Sequence, residues 1–133
     1  MKLWDFKPDG NYDCVKTLRG HDHNISKVAF LSSGGVVVSC SRDTTIKLWQ
    51  VDTGYCIQTL KEHTDWIRDL DISYNGTLLA SCGNDQSIRV WNVSTGKSIL
   101  VLKEHDHVVE CVKFSNTAVD DCISQKTFKA SVG

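Results

Sequence analysis

The same residue types return every 42 positions along this chain. Laid over one another without a gap, residues 21–62 and 63–104 agree at 15 of 42 positions. The agreements include His21 with His63, Ser39 with Ser81, Asp43 with Asp85, Trp49 with Trp91, and Thr53-Gly54 with Thr95-Gly96. A fixed interval of this kind means one supersecondary unit used again, and a period of about 40–45 is that of a four-stranded propeller blade. A third copy opens at His105, and Trp4 closes an earlier copy that lacks its first part.

The local pattern agrees with the period. Short runs rich in Val, Ile, Leu and aromatics alternate with turn residues. Val36–Cys40 and Leu78–Cys82 read as one strand of each repeat, and Ile46–Trp49 and Ile88–Trp91 as the next. Leu48 and Val90 are apolar where strict alternation would place a polar residue, which suits a strand covered on both faces. Cys56–Leu60 is more polar, as an outer strand should be. Ser33-Gly34-Gly35, Asn75-Gly76, Asp52-Thr53-Gly54 and Ser94-Thr95-Gly96 supply hairpin turns. No helical periodicity is visible, and a β-sandwich would not require a constant interval between His, Ser, Asp and Trp. The expected fold is all-β: a partial β-propeller of four-stranded antiparallel blades. Residues 1–20 give the last two strands of an incomplete blade, 21–62 and 63–104 two whole repeats, and 105–114 the first strand of another. Residues 115–133 lose the pattern at Asn116–Asp121 and are expected to be an irregular tail.

Composition narrows the function. Of 133 residues 41% are hydrophobic and 23% charged, with a net charge of -1. That balance speaks against disorder and against a dedicated nucleic-acid binder. No run approaches the roughly 18–20 apolar residues of a membrane span, and the start does not resemble a signal peptide. A cytosolic or nuclear chain with reduced thiols is the expectation. No Cys-x-x-Cys pair suggests zinc. Cys14 and Cys56, like Cys40 and Cys82, stand one period apart, which points to a packing role.

The four recurring polar residues form a satisfiable set. A buried Trp has one N–H donor and no acceptor. A Ser hydroxyl can accept from it and donate to a neutral His, whose other nitrogen can donate to an Asp. His21, Ser39, Asp43 and Trp49 are assigned to one such network, and His63, Ser81, Asp85 and Trp91 to the next. Ser39 is preferred over Ser41 because Gly83 occupies the latter's place in the second repeat. A hydrolase triad is rejected: the set occurs twice in register, and no Gly-x-Ser-x-Gly elbow surrounds either serine. No catalytic residue, metal or cofactor is expected. His21-Asp22-His23 and His105-Asp106-His107 read as one network His and one exposed His each.

Gly20-His21 opening a unit, with Trp4-Asp5, Trp49-Gln50 and Trp91-Asn92 closing units, resembles the WD-repeat family. Gly20–Asn24, Ser41-Arg42-Asp43, Thr53–Cys56, Ala80-Ser81-Cys82, Asn84-Asp85-Gln86 and Glu104–Cys111 resemble its lissencephaly branch more closely, over about residues 1–114. The resemblance implies a non-catalytic protein-interaction scaffold. It would regulate the cytoplasmic dynein motor in microtubule-based transport and nuclear migration, in the cytoplasm and near cytoskeleton or centrosome. The alternative it implies is a regulatory subunit seated on an acetylhydrolase catalytic subunit. A truncated fragment without independent function is a further reading, since the dimerisation motif, coiled coil and seven blades of that branch are not all present. Glu62 and Glu104 stand where the repeat usually has Gly.

Partner binding is expected where the repeats differ within a constant frame. Such columns are Arg42 and Asn84 before the network Asp, and Asn24 and Ser26, Trp66 and Arg68, Val108 and Glu110 after the network His. Trp66, Arg68 and Arg42 lead, because Trp and Arg dominate binding hot spots. The resemblance implies that arginines matching Arg42 and Arg68 face the dynein motor. Open propeller ends also make self-association, head to tail, an expected possibility.

Overall fold

The computed structural model describes residues 1–115 and the strand Phe128–Val132. Two complete sheets occupy the middle. The first holds β3 (Ile25–Phe30), β4 (Val36–Ser41), β5 (Ile46–Gln50) and β6 (Cys56–Leu60); the second holds β7 (Ile67–Ile72), β8 (Leu78–Gly83), β9 (Ile88–Asn92) and β10 (Ser98–Leu102). Both are antiparallel meanders whose strands follow chain order. Before them stands the pair β1 (Lys2–Phe6) and β2 (Tyr12–Thr17), and after them the pair β11 (Val109–Phe114) and β12 (Phe128–Val132). β3, β7 and β11 lie side by side. The architecture is a partial propeller of four-stranded blades, as the period predicted.

The ladder identifies the two half-blades. Trp49 pairs with Cys56 between the third and fourth strands of the first complete blade, and Trp91 with Ser98 in the second. Trp4 pairs with Cys14 in the same way. β1 and β2 are therefore third and fourth strands, while β11 and β12 are first and second.

Cores form between blades. Val38, Cys40, Ile46, Leu48 and Leu60 of the first complete blade pack on Ile67, Leu70, Leu79 and Trp91 of the second. Ala80, Cys82, Ile88 and Val90 pack on Val109, Val112 and Phe114. Leu18, Val37 and Trp49 join the first half-blade to its neighbour. β4 and β8 are thus buried along almost their whole length, which explains why their sequences are apolar on both faces. The Thr-Gly turns serve the same packing. Gly54 and Gly96 have φ of 76° and 69°. A Cβ on Gly96 would run into the Gln58 side chain of the preceding blade, so the turn rests directly on that outer strand.

Two expectations need correction. Within the tail expected to be irregular, Phe128–Val132 forms β12; Asn116–Asp121 lies outside the described residues. Thr127–Gly133 repeats Thr77–Gly83 at Thr, Ala, Ser and Gly, but 50 positions on rather than 42, so extra residues hide it from a fixed-period reading. Its register sets Ala130 opposite Val112, where Ser81 stands opposite Leu70, so Ser131 lies one place beyond the network position. The packing role proposed for the periodic cysteines holds for Cys40 and Cys82, but Cys14 and Cys56 are exposed on fourth strands.

Burial, followed by the nearby charge of Asp69, pushes the Cys82 thiol up to about 12 and raises Cys40 further still. Brief alkylation of the native protein, mapped by peptide mass spectrometry, is expected to mark Cys14 and Cys56. Cys40 and Cys82 should be marked only after unfolding; rapid native labelling of either would contradict the packing described.

Candidate functional site

Each complete blade is pinned internally by one hydrogen-bonded chain. In the first, Trp49 Nε1 donates to Ser39 Oγ at 2.8 Å, and Ser39 Oγ lies 2.7 Å from His21 Nε2. His21 Nδ1 reaches Asp43 Oδ2 at 2.7 Å. In the second, Trp91 Nε1 donates to Ser81 Oγ at 2.9 Å, Ser81 meets His63 Nε2 at 2.7 Å, and His63 Nδ1 meets Asp85 Oδ2 at 2.6 Å. All eight assigned residues are brought together as two equivalent sets. The distances fit one proton ordering: indole N–H to hydroxyl, hydroxyl to imidazole lone pair, imidazole N–H to carboxylate.

The aspartates are held harder than the sequence revealed. Asp43 also accepts the Asp22 amide, the Thr45 amide and the Thr45 hydroxyl. Asp85 accepts the matching groups of Thr64 and Ser87. Thr45 and Ser87 are one period apart, and that shared hydroxyl was the signal available in the sequence. Burial pushes Asp43 up, but the bonds from Thr45, His21 and Asp22 outweigh it and bring it to about 2. Burial likewise opposes, and His63 and Ser87 override, at Asp85, which sits well below the usual carboxylate range. Ser39 and Ser81 are completely buried, so neither can meet a substrate. These sets are clasps.

The clasps hold a groove on the face where the blades meet. It has a volume of about 600 Å³ and is lined by Asn24, Ile25, Ser26, Arg42, Trp66, Ile67, Arg68 and Glu110. Six of the eight positions singled out from the sequence are therefore brought together. The Arg42 guanidinium lies 4.5 Å over the Trp66 ring, and His23 flanks the ring at 6.2 Å. Trp66 nevertheless keeps an exposed edge. Arg68 donates through Nε to Asn84 Oδ1, which places Asn84 behind the groove wall, and its Nη1 stands 3.9 Å from Glu110 across the blade boundary. Arg42 has no ion-pair partner among the described residues, so its charge is available. Val108 is half-buried and does not line the groove.

Local backbone geometry explains why these side chains point outward. The ladder between first and second strands skips one residue in each unit, between Ile25 and Lys27, Ile67 and Asp69, and Val109 and Cys111. The extra residues are Ser26, Arg68 and Glu110. A bulge of this kind leaves a residue unpaired and re-aims its side chain. The turns are tied down beside it: the Arg42 amide donates to Asn24 O at 3.0 Å and the Asn84 amide to Trp66 O at 2.8 Å. Sequence patterning marked the columns but carries no sign of the bulge itself. It also could not assign Glu62, whose carboxylate pairs with buried Arg89 at 2.6 Å.

Comparison with known proteins supplies a context for this geometry. The family model described as WD domain, G-beta repeat matches residues 12–50 and 54–92. Nuclear distribution protein nudF of Aspergillus flavus is 49% identical over 55 residues, which are 41% of this chain and 12% of that protein. Nuclear distribution protein PAC1 of Arthroderma otae is 46% identical over 63 residues, 41% of this chain and 13% of that protein. The matched part thus spans about an eighth of the length of these relatives. The solved structure of U3-55K superposes with a TM-score of 0.71 at 22% identity, covering 74% of this chain and 32% of that one, a likeness of fold.

Two outcomes test the clasp. Ser81→Ala strands the buried Trp91 N–H and a buried His63 nitrogen, and is expected to lower the unfolding free energy by about 2–4 kcal/mol in urea titration. An exposed control, Ser94→Ala, should leave it within about 0.5 kcal/mol. Asp43 is held below its ordinary 3.8, so its stabilisation is complete above that value and is lost as pH falls through about 2. The urea midpoint should therefore drop between those pH values, and Asp43→Asn should flatten the drop.

Proposed function

Because this chain belongs to the WD-repeat family, whose model matches more than half of it, we propose that it is a non-catalytic protein-interaction scaffold acting in the dynein pathway of nuclear distribution. The names of the relatives support this reading, and the groove supplies its chemistry. Arg42 stacked on Trp66 forms a cationic, aromatic platform, and Arg68 adds a second guanidinium beside it. Stacking restricts the Arg42 side chain without consuming its charge, so less rotamer freedom is lost when it grips a carboxylate. The partner that fits is an acidic segment carrying an apolar residue for the exposed edge of Trp66. In this reading that segment lies on the cytoplasmic dynein motor, and the work is done at the cytoskeleton.

The observation that carries the proposal is the 4.5 Å approach of Arg42 to Trp66 at the mouth of a groove lined by three successive blades. Glu110 tempers the site by drawing on Arg68 from the next unit. No feature of the groove favours the acetylhydrolase subunit over the motor, so that alternative rests on resemblance alone.

Binding of the purified polypeptide to the dynein motor domain, followed by surface-immobilised titration, tests this. Arg42→Glu combined with Arg68→Glu is expected to weaken binding at least tenfold and to reduce its salt dependence. Trp66→Ala should weaken it by a factor of about 30, the equivalent of a 2 kcal/mol hot spot. Undiminished motor binding by the double charge reversal would overturn the site. Binding to the acetylhydrolase catalytic subunit alone would replace the partner.

A further inference from the structure

A second cleft shares no lining residue with the groove. It has a volume of about 480 Å³ and lies at the first complete blade, between the loop that precedes β3 and the loop that joins β6 to β7. Two short residues open it. Gly20 stands where the next unit has Glu62, and Thr44 where it has Gln86. In that next unit both longer side chains are engaged. Glu62 places its carboxylate on Arg89 at 2.6 Å, and Gln86 Nε2 donates to Asp106 O at 3.1 Å across the blade boundary. Gly20 has no side chain to do the first. Thr44 is too short to do the second, although Thr44 and Gln86 share a left-handed backbone with φ of 73° and 64°.

The groups that those side chains would meet are nevertheless in place. Lys47 is the counterpart of Arg89: it stands opposite Ser39 in the ladder, as Arg89 stands opposite Ser81. Its ammonium donates to the neutral Thr59 hydroxyl at 3.0 Å and has no ion-pair partner among the described residues. Lys61 lines the same cleft, also without a carboxylate partner among the described residues. Thr64 O, the counterpart of Asp106 O, accepts no hydrogen bond among the described residues. Of the acidic residues that line the cleft, Asp43 is held by the clasp and Glu62 by Arg89. Asp22 is exposed, and its carboxylate is uncommitted.

We propose that this cleft receives a glutamate side chain from an extended segment of a protein partner. The carboxylate lies on Lys47 as that of Glu62 lies on Arg89, Lys61 supplies a second cation, and a backbone N–H of the same segment meets Thr64 O. The second unit thus carries a built-in copy of the group that the first unit takes from outside. A carboxylate on an ammonium makes a charge-assisted hydrogen bond, stronger than the neutral bond that Lys47 makes to Thr59. Phosphate matches the cleft less well, because it brings nearly two negative charges toward Asp22 and Asp43. The inference goes beyond the function proposed above and needs neither the groove nor the motor.

Fluorescence anisotropy with a fluorescein-labelled hexaglutamate peptide tests it, in a protein that already carries Arg42→Glu and Arg68→Glu. That background silences the groove, so the cleft is read whether or not the groove binds the motor. Saturable binding is expected. Lys47→Gln with Lys61→Gln should weaken it about tenfold. Thr44→Gln changes no charge but gives the first unit the bridge that Gln86 makes in the second, and should weaken binding about fivefold by filling the cleft. Asp22→Asn should tighten it about twofold. Fluorescence of the buried Trp49 and Trp91 checks that each variant is folded. No saturable binding in the starting background, unchanged binding after Thr44→Gln in a folded protein, or displacement of the probe by inorganic phosphate at lower concentration than by unlabelled hexaglutamate would each overturn the proposal.

Discussion

The buried indole N–H is the constraint on which each blade depends. Trp49 and Trp91 fill the space between neighbouring sheets, and nothing in an apolar interior can accept their protons. The hydroxyl of Ser39 or Ser81 does so from the adjacent strand, and the relay carries the polarity outward through His21 or His63 to a carboxylate at the blade edge. Removing any one member would strand a neighbour in low dielectric, where an unmet polar group costs most. The relay also crosses the sheet. It ties the segment before the first strand to the turn between the second and third, and so fixes both walls of the groove.

Much of this was legible because one unit is written twice. Comparing two copies separates residues that the frame requires from residues that it tolerates. That comparison identified the clasp, chose Ser39 over Ser41, and marked Arg42, Trp66 and Arg68. What escaped was of two kinds. The bulges at Ser26, Arg68 and Glu110 are properties of ladder register, which a column of residues does not display. β12 escaped because extra residues break the period. Its Thr-x-x-Ala-Ser-x-Gly words survive, but only a comparison free of the fixed interval would find them. The exposed Cys14 and Cys56 teach a related lesson: equal spacing shows equivalent position, and burial depends on which strand that position belongs to.

The family's repeat and the blade are different cuts of the same chain. The matched segments 12–50 and 54–92 each begin on a fourth strand and end on a third: β2 to β5, then β6 to β9. Each repeat therefore contributes strands to two blades, and covalent connectivity runs through every blade boundary. The boundaries are further tied by side chain to backbone. Asp69 accepts the Val112 amide at 3.1 Å and Asp71 the Phe114 amide at 2.7 Å, both from the neighbouring first strand. Adjacent blades are thus joined by chain, by apolar contact and by hydrogen bonds.

The bulge residues carry a consequence for variation. Ser, Arg and Glu occupy the same unpaired place in three successive units, where a small hydroxyl, a cation and an anion are all accommodated. A position that owes nothing to ladder pairing and faces solvent can change its chemistry while the sheet beneath is undisturbed. The architecture therefore behaves as a display: the chemistry of one exposed position can be rewritten one blade at a time, and the foundation that holds each letter does not have to be redesigned.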